Sequence, residues 1–130
     1  MNLANMMAAV SAGILLASGG AGTFAAERVS AAPPAFYVAE FEVTDADGMK
    51  PYSANVESTF TPYGGHFIVR GGTYTSLEGK APSRKRVVIE FESVEKALSW
   101  YHSEEYTALR KIRQRSAKTD VYIVEGIAPR

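Results

Sequence analysis

His66, Arg70 and Glu90 are the side chains with which this chain would do acid–base chemistry. An unperturbed imidazole titrates at about pH 6.5, so His66 can take and return a proton near neutrality. Arg70 can stabilise a developing enolate or hold a carboxylate, and Glu90 can orient the arginine. The histidine count narrows the rest. His66 and His102 are the only two, in different predicted elements, whereas a protein zinc or non-haem iron site takes about three ligands or more, so His66 would have to recruit Glu40 or Glu90. No metal and no organic cofactor is expected, although a haem, needing one axial ligand, stays open on residue type alone. Gly64-Gly65 and Gly71-Gly72 lack the spacing of a phosphate cradle and read as turn or bulge chemistry.

The elements that must position these residues follow from periodicity. Residues 35 to 43 alternate, with Tyr37, Ala39, Phe41 and Val43 on one face, which predicts a strand. Thr44 with Asp47 three residues on resembles a capping box, and Met49, Tyr52, Val56 and Phe60 then recur at helical spacing. Pro51 predicts a late or irregular start to that helix. A second strand covers 66 to 70, with pairing continuing through 73 to 77, then a loop over 78 to 83 and a third strand over 86 to 91. Ser93 caps a helix through Ala97, Leu98 and Tyr101, and Ser103 caps another whose apolar face is Tyr106, Leu109 and Ile112. Residues 120 to 125 form the last strand. The order is βαββαβ with the second helix in two pieces, an α+β, ferredoxin-like arrangement with an antiparallel sheet.

Counting by twos sorts the strands onto two faces. One is wholly apolar, including Tyr37, Phe67, Val69, Ile89 and Phe91, and is expected beneath the helices. The other mixes Phe36, Val38, Ile68, Val88, Tyr122 and Val124 with Glu40, Glu42, His66, Arg70, Arg86 and Glu90. Two readings fit that mixture. A second copy of the chain packs sheet on sheet, burying the aliphatics and pairing Glu90 with Arg86 or Arg70; or the enclosed space is a pocket whose charges, with Glu40, Arg86 and Tyr122, orient a small organic molecule. Trp100 is expected to border that pocket or a subunit contact, and Tyr101 to be core.

At 130 residues the chain holds one domain. Lysine plus arginine balance aspartate plus glutamate at 14 each, and no aromatic residues interleave with a basic surface, so nucleic acid is not an expected partner. Arg110 to Lys118 carries five cations, but Glu104 and Glu105 precede it, the arrangement a helix dipole favours on a solvated face. Without cysteine, disulfide and thiolate chemistry are excluded. Residues 1 to 34 stand apart: no charge before Glu27, an apolar run from Met6 to Ala17, then small residues and Pro33-Pro34. They read as a signal peptide and linker, with cleavage after Ala25 or Ala31, ahead of a domain at 35 to 130. The run is too short to span a bilayer, for which about 20 apolar residues are needed. The expected location is periplasmic or secreted, with no membrane partner after cleavage; the uncharged start of the segment leaves a cytoplasmic protein with an uncleaved extension as the alternative.

Tyr63-Gly64-Gly65, Arg70-Gly71-Gly72, Glu78-Gly79, Arg86, Glu90-Phe91, Trp100-Tyr101, Ser103, Tyr106 and Val124-Glu125-Gly126, in this order, resemble the domain of unknown function 1330 family over residues 36 to 127. The resemblance implies a ferredoxin-like domain that dimerises into an α+β barrel, in a superfamily that includes small monooxygenases, isomerases and haem-dependent enzymes. It implies no particular reaction. The functional expectations are therefore binding or transformation of a small molecule, against a non-catalytic structural or stress-associated dimer.

Overall fold

A computed structural model describes residues 31–130; most of the expected export segment lies outside the described residues. The elements are β1 (Ala35–Val43), α1 (Ala46–Phe60), a 3-10 turn (Thr61–Tyr63), β2 (His66–Arg70), β3 (Lys85–Phe91), α2 (Val94–Tyr101), α3 (Glu104–Ser116) and β4 (Ala117–Glu125). Every strand pairing is antiparallel, in the sheet order β2-β3-β1-β4. This is the expected α+β, ferredoxin-like βαββαβ fold, with α2 and α3 as the divided second helix.

Helix α1 starts earlier than Pro51 suggested. Asp45, not Thr44, is the N-cap, accepting from the Gly48 amide at 3.0 Å. The helix runs through Pro51, whose missing N–H leaves the Asp47 carbonyl without its usual donor. Burial of Met49, Tyr52, Val56 and Phe60 on one stripe holds it in place. The amides of Thr44 and Asp45 both donate to the Ser116 carbonyl, at 2.9 and 3.0 Å, tying the start of α1 to the end of α3.

The apolar sheet face is covered as expected, and aromatic rings fill most of the space beneath the helices. Trp100 is fully buried: its ring meets Tyr37 edge-on at 5.0 Å and stacks with Phe91 at 5.4 Å, and its Nε1–H donates to Thr59 Oγ1 at 3.0 Å. Neither the pocket border nor the subunit contact expected of Trp100 holds within this chain. The buried line of α2 is Ala97 and Trp100, three residues apart, while Leu98 is exposed and Tyr101 only partly covered.

Three further expectations change. No strand forms over 73 to 77; this stretch belongs to a loop from Gly71 to Arg84, with the Tyr74 hydroxyl donating to the Arg84 carbonyl at 2.7 Å. Strand β4 begins at Ala117, three residues early, because β1 is long enough to pair Val43 with Ala117 and Glu42 with Lys118. The third change lies in β2. His66 pairs with Glu90 and Phe67 with Ile89, but Val69 pairs with Val88 and Arg70 with Val87, leaving Ile68 as an extra residue in a β-bulge. Alternation reverses beyond it. Phe67 still faces the helices, but Val69 turns to the open face, where it is 39% exposed, and Arg70 turns to the helix side.

Candidate functional site

Reversal at the bulge separates the three residues expected to act together. His66 and Glu90 remain on the open face, with Nε2 and Oε2 3.4 Å apart. Arg70 stacks over the Phe67 ring at 4.5 Å and approaches the Glu57 carboxylate of α1 at 3.8 Å. The sheet therefore stands between His66 and Arg70 within one protomer. Arg86 Nη2 donates to Glu40 Oε1 at 2.6 Å, a hydrogen bond that holds the Arg86 pKa above its ordinary value. On the same face Tyr122 and Val124 are about half exposed, and Ile68 is nearly so. The open face is thus a strip of aliphatic and aromatic side chains between ion pairs.

The chemistry gathers on the other side of the sheet. Tyr37 and Ala39 of β1, Met49, Tyr52 and Val56 of α1, Phe67 and Arg70 of β2, Val87 and Ile89 of β3 and Arg113 of α3 line a cavity of about 180 Å³. Most of its wall is aliphatic or aromatic. Arg70 and Ser53 contribute polar groups to it, and Tyr37, Tyr52 and Arg113 form its buried polar end, where the Tyr106 hydroxyl lies 3.2 Å from that of Tyr37 and 3.0 Å from that of Tyr52. Arg113 is 3% exposed; Nη1 donates to the Thr119 hydroxyl, and the guanidinium carbon sits 5.9 Å from the Tyr52 ring centre.

Electrostatics at this end follow from burial. Loss of water pushes the Tyr37 and Tyr52 pKa values well above the ordinary tyrosine range, and the neighbouring Tyr106 pushes both the same way, so both rings are neutral at physiological pH. For Arg113 burial acts downward, yet the oxygens of Tyr37, Tyr106 and Tyr52 outweigh it and leave the group above its ordinary value. The cavity end is a permanent cation among neutral hydroxyls. Such an arrangement can bind and orient an acceptor group, and a chain of hydroxyls can pass a proton.

Sequence reasoning missed Tyr52, Tyr106 and Arg113 as a group. Helical spacing makes Tyr52 and Tyr106 packing residues, and the charge order of α3 makes Arg113 one cation of a solvated face; burial of Arg113 corrects that last expectation. The signal was present: Tyr106, Leu109 and Arg113 follow the i, i+3, i+7 stripe of α3, which puts the arginine on the buried line. Among the described residues no three metal-ligating side chains cluster, and no helix is long and apolar enough to cross a membrane.

The sequence profile of a domain of unknown function, DUF1330, matches residues 34–127. No curated protein matches the chain. Among solved structures, a protein of unknown function from Rhodopseudomonas palustris is similar at 17% identity and a TM-score of 0.59, over 75% of this chain and 85% of its own. SnoaB, described as a cofactor-independent oxygenase from Streptomyces nogalater, is similar at 13% identity and a TM-score of 0.50, over 76% and 96%.

Proposed function

This chain belongs to the DUF1330 family, and on that premise we propose that it is a homodimeric protein that binds, and on reaction transforms, a small organic molecule in the cavity between the sheet and α1. One observation carries the reading: a largely apolar cavity lined by a buried arginine and by two tyrosines whose hydroxyls are joined through that of Tyr106. Such a site grips the body of a ligand by burial and orients it by a few hydrogen bonds. Arg113, Tyr37 and Tyr52 are the orienting groups, and Arg70 stands where the cavity meets β2. SnoaB, of the same fold, is described as an oxygenase that uses no cofactor, which agrees with a chemistry supplied by the chain's own side chains. His66 and Glu90 are assigned here to the open face and not to the reacting centre.

That open face is the proposed dimer surface. Ile68, Val69, Tyr122 and Val124 would be covered by a second copy, with Glu40 beside Arg86 and His66 beside Glu90 around them. We further propose export, on the composition of residues 1 to 34; sequencing the mature N-terminus tests it, and an intact Met1 on protein recovered in the cytosolic fraction refutes it.

Native mass spectrometry of the purified protein tests the cavity. A retained small molecule is expected on the natural sequence and is expected to be lost in Ser53→Trp, which places a ring at the exposed α1 edge of the cavity. Equal retention by both proteins would place the ligand elsewhere.

A further inference from the structure

Building on that cavity reading, we infer that the ligand carries an oxyanion, a carboxylate or an ionised enol or phenol oxygen, on an otherwise apolar body, and that Arg113 is its counter-ion. Among the described residues two arginines line the cavity, and no aspartate or glutamate does. Arg70 already has Glu57 beside it and reaches solvent, with a side chain 55% exposed. Arg113 differs on both points. It is almost wholly buried, and among the described residues no carboxylate comes within 4.0 Å of its guanidinium. Its Nη1 donates to Thr119, whereas its buried Nε has no partner among the described residues. The surrounding tyrosine oxygens favour the charged form but bring no full negative charge, and an anionic ligand group would supply one.

Counting protons on the hydroxyl chain adds a donor that fits the same ligand. Tyr37, Tyr106 and Tyr52 bring one proton each, and the two bonds joining them use two. If both ends donated to Tyr106, its own buried proton would be orphaned, an arrangement that buried polar groups seldom adopt. The spare proton therefore belongs to Tyr37 or Tyr52, and both of these residues line the cavity while Tyr106 does not. The ligand meets one buried cation and one phenolic O–H donor, and an oxyanion satisfies both.

Matched pairs test this on the unmodified protein. Trp100, the only tryptophan, stacks on Phe91 and contacts Tyr37 and serves as a fluorescence reporter. Benzoate, and the straight-chain acids from butyrate to octanoate, are titrated beside their amides, with calorimetry as a second readout. The acids are expected to bind at least about tenfold more tightly than the amides, a difference of about 1.4 kcal/mol. Arg113→Met is expected to erase that preference, Arg113→Lys to keep part of it, and Arg70→Met to leave it in place. Acids and amides binding equally would overturn the oxyanion inference while leaving the cavity reading intact. Loss of the preference in Arg70→Met but not in Arg113→Met would overturn the assignment to Arg113. Binding of no acid and no amide, or binding unaffected by Ser53→Trp, would overturn the cavity reading and this inference with it.

Discussion

Replacing Arg113 with methionine is expected to leave the ligand-free protein about as stable as the natural sequence. At 3% exposure and with no carboxylate within 4.0 Å among the described residues, the guanidinium carries a desolvation penalty of roughly several kcal/mol that methionine removes. Against this stand the charged hydrogen bond to Thr119, worth about 1.5–3 kcal/mol, the approach to the Tyr52 ring at 5.9 Å, which adds about 0.5–1 kcal/mol, and the oxygens of Tyr37, Tyr106 and Tyr52, which favour the charged form. Thr119 is only partly buried, so water can replace the lost donor, and Tyr52 keeps its bond to Tyr106. These contributions nearly cancel, and the expected change lies within about 1 kcal/mol, against about 3–5 kcal/mol for removing one member of a buried, paired network. Urea unfolding without ligand, followed by circular dichroism and checked for an unchanged slope, measures the difference. A loss of about 3 kcal/mol or more would refute the reasoning, because it would mean that the chain itself already compensates the charge.

Three other outcomes are expected. Gly65→Ala would bring a Cβ to 2.7 Å from Phe91 and 3.0 Å from Phe60; overpacking of this kind costs about 1–3 kcal/mol, and an unchanged thermal midpoint would contradict it. Asp45→Ala removes the cap on Gly48 and is expected to lower stability by about 1 kcal/mol, with Asp45→Asn restoring most of it in the same urea assay. Stability should also fall in alkali. Tyr37 and Tyr52 have folded-state pKa values raised by burial, so their contribution is complete below the unfolded value of about 10 and is lost as pH climbs from there toward the folded values. Tyr37→Phe should flatten that decline, and an equally steep one between pH ~9 and ~11.5 would argue against a buried, neutral Tyr37.

Legibility in the sequence depended on whether local pattern and tertiary pairing agreed. Residues 35 to 43 and 86 to 91 alternate without interruption, and both strands lie where counting put them, with Tyr37, Ala39, Ile89 and Phe91 buried. The same counting failed in β2, since the residue a bulge skips is set by the partner strand and not by any residue in His66–Arg70. That failure mattered most for function, because it put Arg70 beside His66. Trp100 was misplaced because Ala97, Leu98 and Tyr101 form as good a helical stripe on paper as Ala97 and Trp100 do in the fold. Arg113 was passed over because a cation in the last turn of a helix has a sufficient electrostatic reason to be there. Its place on the Tyr106–Leu109 stripe separates it from a solvated neighbour such as Arg115, but the tyrosines that surround it come from β1, α1 and α3 and join residues 54 and 69 positions apart.

The extra residue Ile68 gives strand length a meaning that strand composition alone lacks. Deleting one residue between Phe67 and Arg70 would restore strict alternation and carry the guanidinium from the cavity wall to the proposed subunit surface, with no change in the remaining side-chain chemistry. A substitution alters what a side chain is; here a change of one in length would alter which compartment it serves. In relatives with a shorter or longer β2, the position of the arginine should therefore be judged by strand register and not by its column in an alignment.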